Sequence, residues 1–112
     1  MKSRIAAIGI FGALVFGAGS ARAAIDDTQA ANLMKTGGCR ACHSVDKKIV
    51  GPAYKDVALK HKGQADAVEV LTKAVRKGSK GVYGAAGLMP PTDAARISDA
   101  DLHDLLEWVL TK

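Results

Sequence analysis

Aromatic side chains are scarce in this chain of 112 residues, which has one Trp, two Tyr and two Phe. Phe11 and Phe16 both fall in the N-terminal segment, so Tyr54, Tyr83 and Trp108 are left to build any core downstream of it. A chain with room for only one small domain buries roughly 60–65% of its unfolded surface even when well supplied with large side chains. Something large and apolar is therefore missing from the sequence itself. Strand signals are missing too: no segment alternates apolar with polar residues, which argues against a β-α-β unit and for an all-α chain. There are two cysteines, too few for a zinc site built from thiolates alone. The chain is basic overall, but no basic motif is interleaved with aromatics, so nucleic acid is not an expected partner.

Long apolar runs are confined to one place. Lys2 and Arg4 precede an uncharged stretch from Ile5 to Gly19, and Ala21-Arg22-Ala23 then offers small side chains where a signal peptidase reads them. Residues 1–23 are expected to be a cleaved secretory signal, with residues 24–112 as the domain. A retained membrane anchor is the competing reading, because 17 uncharged residues separate Arg4 from Arg22 and a span needs about 17–25. Glycine and serine interrupt the run and the Ala-x-Ala site is well placed, so cleavage is favoured, leaving no membrane span and an exported, periplasmic domain.

Removing the leader takes away three basic residues and leaves 13 basic and 11 acidic side chains, a net charge of +2. The remaining charge is segregated. From Lys35 to Lys80 there are 11 basic residues against four acids, while Asp93, Asp99, Asp101, Asp104 and Glu107 make the remainder acidic. Solvated helix faces explain most of this, and a basic docking face including Lys47, Lys48, Lys60, Lys62 and Lys77 is a hypothesis beside it.

Four helices are legible. The first, about Asp27 to Lys35, places Ala30, Leu33, Met34 and Gly37 on one face. A second is expected from Pro52, at its first position, to about Lys60. The third, about Ala65 to Lys77, has Asp66 in its first turn, basic residues in its last, and Gly78 as a left-handed cap. The fourth starts at a Ser98/Asp101 capping box with Ile97 and Leu102 as a hydrophobic staple. Its stripe of Leu102, Leu105, Leu106, Val109 and Leu110 is expected to pack on the first helix. Between the third and fourth lie about twenty residues without a regular pattern, a length that usually marks function or disorder.

The sequence Cys39-Arg40-Ala41-Cys42-His43 concentrates both cysteines beside a histidine. A redox dithiol, half a metal site and a covalent haem seat compete for it. The dithiol reading expects a β-α-β context that is absent, and zinc would have to recruit distant His61 or His103. Spaced i, i+3 and i+4, the three side chains emerge from one helical turn, so two thiols can reach the two vinyl groups of one porphyrin with the imidazole beneath its iron. A covalent haem is favoured, and it supplies the apolar bulk that the aromatics do not. Leu33, Leu71, Val75 and Leu105 then read as packing residues.

A sixth ligand decides whether the iron carries electrons or binds small molecules. Met34 belongs to the core face of the first helix, His61 between Lys60 and Lys62 reads as a solvated residue, and His103 lies off the apolar stripe. Met89 is favoured as ligand: Pro90 and Pro91 stiffen the chain behind it, and it follows His43 by 46 residues, enough to travel around a porphyrin.

With "CRACH", "VGPAYKDVA", "KGSKGVYG", "MPP" and "EWVL" in this order, the chain resembles the class I c-type cytochromes, specifically the small bacterial cytochrome c-551/c-552 family. The resemblance covers nearly all of residues 24–112. It implies about four short helices wrapped around one haem c, with the N- and C-terminal helices packed together. It implies Cys39 and Cys42 as thioether anchors, His43 and Met89 as iron ligands, and the Pro52 carbonyl as acceptor for the outer ring nitrogen of His43. Tyr83 takes the place of a tryptophan whose ring nitrogen helps hold a haem propionate in that family. The stretches from Tyr83 to Met89 and from Thr92 to Ile97 are longer than is usual there. The implied function is that of a soluble, monomeric periplasmic electron carrier, not an enzyme, exchanging electrons with redox protein partners. A subunit dedicated to one dehydrogenase or oxidase, and a haem peroxidase or gas binder, are the alternatives.

Overall fold

The computed structural model describes residues 23–112 together with Gly12, so nearly all of the expected leader lies outside the described residues. Among the described residues there are four α-helices: α1 (Asp27–Thr36), α2 (Tyr54–Lys60), α3 (Ala67–Lys77) and α4 (Asp99–Val109). A short 3-10 turn, Cys39–Ala41, follows α1, and two short strands, β1 (Ser79–Lys80) and β2 (Leu88–Met89), pair antiparallel with Ser79 opposite Met89. This ladder falls inside the segment expected to be irregular, and strands of two residues are too short to show alternation.

Helix α1 starts at a reciprocal cap: Gln29 N–H donates to the Asp26 carboxylate at 2.7 Å while Asp26 N–H donates to the Gln29 side chain at 2.9 Å. Helix α4 starts with Asp101 N–H donating to Ser98 Oγ at 3.1 Å, which is half of the expected box. The staple residues Ile97 and Leu102 are both buried in the same cluster. Helix α2 begins later than expected. Pro52 stands outside it and Ala53 is its N-cap, without a side-chain cap; instead Tyr54 N–H and Lys55 N–H donate to the carbonyls of Ser44 and Val45. Asp66 is the N-cap of α3 rather than part of its first turn.

Helix α4 packs against α1, α2 and α3, and Leu102, Leu105, Leu106 and Val109 form the middle of the core with Ala30, Met34, Tyr54 and Val57. Two surface expectations resolve differently. His103 is half exposed beside Asp104 and Glu107, as its position off the stripe implies. His61 is buried instead, as the C-cap of α2, with Nδ1 2.8 Å from the Gln64 side-chain oxygen. The flanking lysines misled the reading, because neighbours in sequence point to other sides of a helix end.

The terminal helices are also tied by polar contacts. Trp108 Nε1–H donates to Asp27 at 2.9 Å, and Lys112 Nζ lies 3.5 Å from the same carboxylate. The indole hydrogen bond first, and Lys112 second, hold the Asp27 carboxyl below its ordinary value of 3.8. A depressed folded-state value means that the contribution is present above pH 3.8 and is lost as pH falls through the folded value. Stability of the wild type is therefore expected to decline more steeply on acidification below that pH than stability of Asp27→Asn. Parallel declines in denaturant titrations would contradict this.

Candidate haem site

The turn that follows α1 carries the site's first wall. Cys42 N–H and His43 N–H both donate to the Cys39 carbonyl, at 3.2 and 3.0 Å, which closes one turn and brings the two thiols and the imidazole together. Cys39 and Cys42 are free and half-buried. Burial, above all, raises the Cys39 thiol above its ordinary pKa.

His43 is held from two directions. Its Nδ1 lies 2.8 Å from the Pro52 carbonyl, and because a carbonyl only accepts, Nδ1 carries the proton and Nε2 keeps the lone pair. Its ring stacks on Tyr54, with centroids 5.1 Å apart, and Tyr54 meets Trp108 edge-on at 6.2 Å. Tyr54 was not singled out from the sequence as a site residue, although it lies in the "GPAYK" stretch three positions from Gly51. Burial and the adjacent Cys39 raise its phenol well above the ordinary value, so it stays neutral.

Gly51 makes the close approach of this loop possible. A Cβ there would stand 2.6 Å from His43 Cε1, 2.9 Å from Nδ1 and 3.1 Å from the Cys42 carbonyl. The ring is bonded to the Pro52 carbonyl and stacked on Tyr54, so it can make room only by giving up those contacts. Gly51→Ala is expected to lower unfolding stability by about 1–3 kcal/mol, the usual overpacking range, and to displace the His43 ring N–H resonance. Wild-type stability with an unshifted resonance would contradict it.

These residues face a cavity of about 440 Å³, within the size range of small-molecule and cofactor pockets. Leu71, Val75, Leu102, Leu105, Leu106 and Val109 give it apolar walls, so part of the packing expected of these leucines and valines is directed at the cavity. Met89 and Tyr83 line it from the segment after α3, and Pro52 lines it from the loop before α2. Among the basic residues considered for docking, Lys48 lines the cavity and Lys60 Nζ lies 5.4 Å from the Tyr83 ring centroid, whereas Lys47, Lys62 and Lys77 do not line it. Tyr83 Oη is buried without a hydrogen-bond partner, and its phenol is raised by burial first and by Asp56 second. Burying an unsatisfied hydroxyl costs about 1–3 kcal/mol, so this cavity is shaped for a group that brings an acceptor to it.

A large apolar group with two thiol-reactive positions and a polar edge fits every one of these features. The fold and the site define a haem c-binding domain of the small class I type. The cytochrome c family profile matches residues 19–112. Cytochrome c2 of Rubrivivax gelatinosus is 46% identical over 80 residues, covering 71% of this chain and 93% of that protein. Cytochrome c-551 of Pseudomonas aeruginosa is 48% identical over 80 residues, covering 71% and 73%. The crystal structure of Nitrosomonas europaea cytochrome c552 is similar with a TM-score of 0.64 at 44% identity, covering 72% of this chain and 96% of its own. The chain belongs to the cytochrome c family. It is a haem-based electron-transfer protein rather than an enzyme, and its family carries one covalently attached haem c, with which the Cys39/Cys42 pair of the C-x-x-C-H motif is consistent.

Proposed function

We propose that the chain is a monomeric periplasmic carrier, released by removal of residues 1–23, whose iron is held by His43 and Met89. The haem supplies a one-electron ferric/ferrous couple, and a thioether paired with an imidazole favours the ferrous form. What carries the reading is that His43 and Met89, 46 residues apart, line one cavity. The Pro52 carbonyl fixes the His43 tautomer and leaves Nε2 free to bind metal. The cavity walls around both ligands are largely apolar, and among the described residues no Asp or Glu lines the cavity to act as a peroxidase acid or base.

Tyr83 has the role of donor to a propionate, which would satisfy its buried hydroxyl. Val50, Val82 and Leu88 line the cavity yet remain exposed, at 72%, 47% and 70%, and they offer an apolar contact area to a redox partner. Among the described residues no helix is long and apolar enough to cross a membrane.

Mass and spectra of the exported protein test this reading. The expected result is the mass of residues 24–112 plus one haem, a thioether-to-iron absorption band in the ferric state, and slow, incomplete carbon monoxide binding to the ferrous state. A colourless protein with free thiols, or rapid and complete carbon monoxide binding, would overturn it.

A further inference from the structure

We propose that Arg76, in the last turn of α3, is the positioning residue that keeps the Met89 segment on the cavity, an inference that rests on Met89 as axial ligand. Its side chain is only 18% exposed, and its guanidinium reaches two backbone carbonyls and one carboxylate. Nη2 donates to the Ile97 carbonyl at 2.9 Å and to the Asp99 carboxylate at 2.7 Å, and Nη1 reaches towards the Thr92 carbonyl at 3.4 Å. The first two are ordinary hydrogen bonds and the third is long. Asp99 is 85% exposed, so its ion pair contributes little and the carbonyl contacts carry the argument.

One planar fork thus bridges the two ends of the 92–97 stretch and the start of α4. This is the stretch that is extended relative to the family the sequence resembles, so it has more freedom to be restrained than a shorter one. Next to the fork, Thr92 N–H donates to the Val75 carbonyl at 2.8 Å, so the chain is fastened to the end of α3 at Thr92 twice. Between Thr92 and Met89 stand Pro90 and Pro91, whose fixed backbone transmits a shift at one end to the other. The guanidinium touches neither Met89 nor the cavity, and acts on the thioether only through this short stiff strap.

The test titrates ferric holoprotein with imidazole, which competes with the thioether for iron, and follows loss of the thioether band. Arg76→Met is expected to bind imidazole about tenfold more tightly than wild type, or about 1.4 kcal/mol. Arg76→Lys should fall between them, because an ammonium keeps a point contact without the fork. In a Met89→Ala background, where there is no thioether band and imidazole binding is followed by the shift of the haem's main absorption band, either substitution should leave imidazole affinity unchanged, since no thioether remains to be positioned. Equal effects in both backgrounds would show general loosening and overturn the proposal. Wild-type affinity in the variants, with the band intact, would overturn the role of Arg76 alone. A wild-type protein without the band would overturn the Met89 reading along with it. Should Arg76→Met fail to fold, the Arg76→Lys pair with and without Met89→Ala decides the matter by the same outcomes.

Discussion

Met89→Ala is expected to yield an exported protein that still carries its haem, because both cysteines remain, but that has lost the thioether band and binds carbon monoxide rapidly when reduced. Its reduction potential should fall by something on the order of 0.1–0.2 V, a fraction of the ≈0.8 V over which axial ligands move haem potentials. The direction follows from ligand softness: a thioether stabilises ferrous iron more than ferric, and alanine removes that preference without adding another. The fold should persist. Met89 is half-buried, and its pairing with Ser79 is made by backbone that alanine retains. A variant with unchanged band and potential would remove Met89 from the mechanism and leave Met34, buried in the core face of α1, as the remaining described thioether.

How far the sequence could reveal this site depended on whether a cue was local. The turn at Cys39 is specified by three residues one helical turn apart, and it formed as the spacing implied, with Cys42 and His43 amides on the Cys39 carbonyl. The start of α4 was likewise legible from Ser98, Ile97 and Leu102. The start of α1 carries an equally local signal, Asp26 with Gln29, which apolar spacing from Ala30 onward obscured. Cues failed where a residue serves a distant partner. Pro52 has the composition of a first helical residue, yet its carbonyl is committed to His43 and the helix opens two positions later, its amides met by Ser44 and Val45. Tyr54 looked like one of three spare aromatics, and only the folded chain shows it against the ring of His43. Arg76 read as a charge suited to a helix end, because nothing in the local pattern announces the carbonyls of residues 92 and 97.

Gly78 shows how tightly the strap is fitted, and Gly78→Ala is expected to be among the most damaging single substitutions in the domain. The residue was expected to cap α3 in the left-handed helical conformation, but φ is 80° and ψ 169°, a region that is essentially restricted to glycine and costs other residues about 1–3 kcal/mol. A Cβ there would also stand 2.6 Å from the Met89 carbonyl oxygen, with Pro91 Cδ and N at 3.2 and 3.3 Å. Neither obstacle is a flexible side-chain end. The Met89 backbone pairs with Ser79, Gly81 N–H donates to the Gly87 carbonyl at 2.8 Å, and Thr92 N–H is fixed on Val75, so the strap can make room only by lifting from α3. Gly81→Ala supplies the control: φ is 75° there, yet nothing lies within 4 Å of the added methyl. It should carry the conformational penalty alone, about 1–2 kcal/mol, and keep the thioether band. Gly78→Ala should lose more than its control in thermal stability, each further kcal/mol lowering Tm by about 4–8 °C in a domain of this size, and should lose the band as well. If the two variants melted together and both kept the band, close approach at Gly78 would not be what seats Met89.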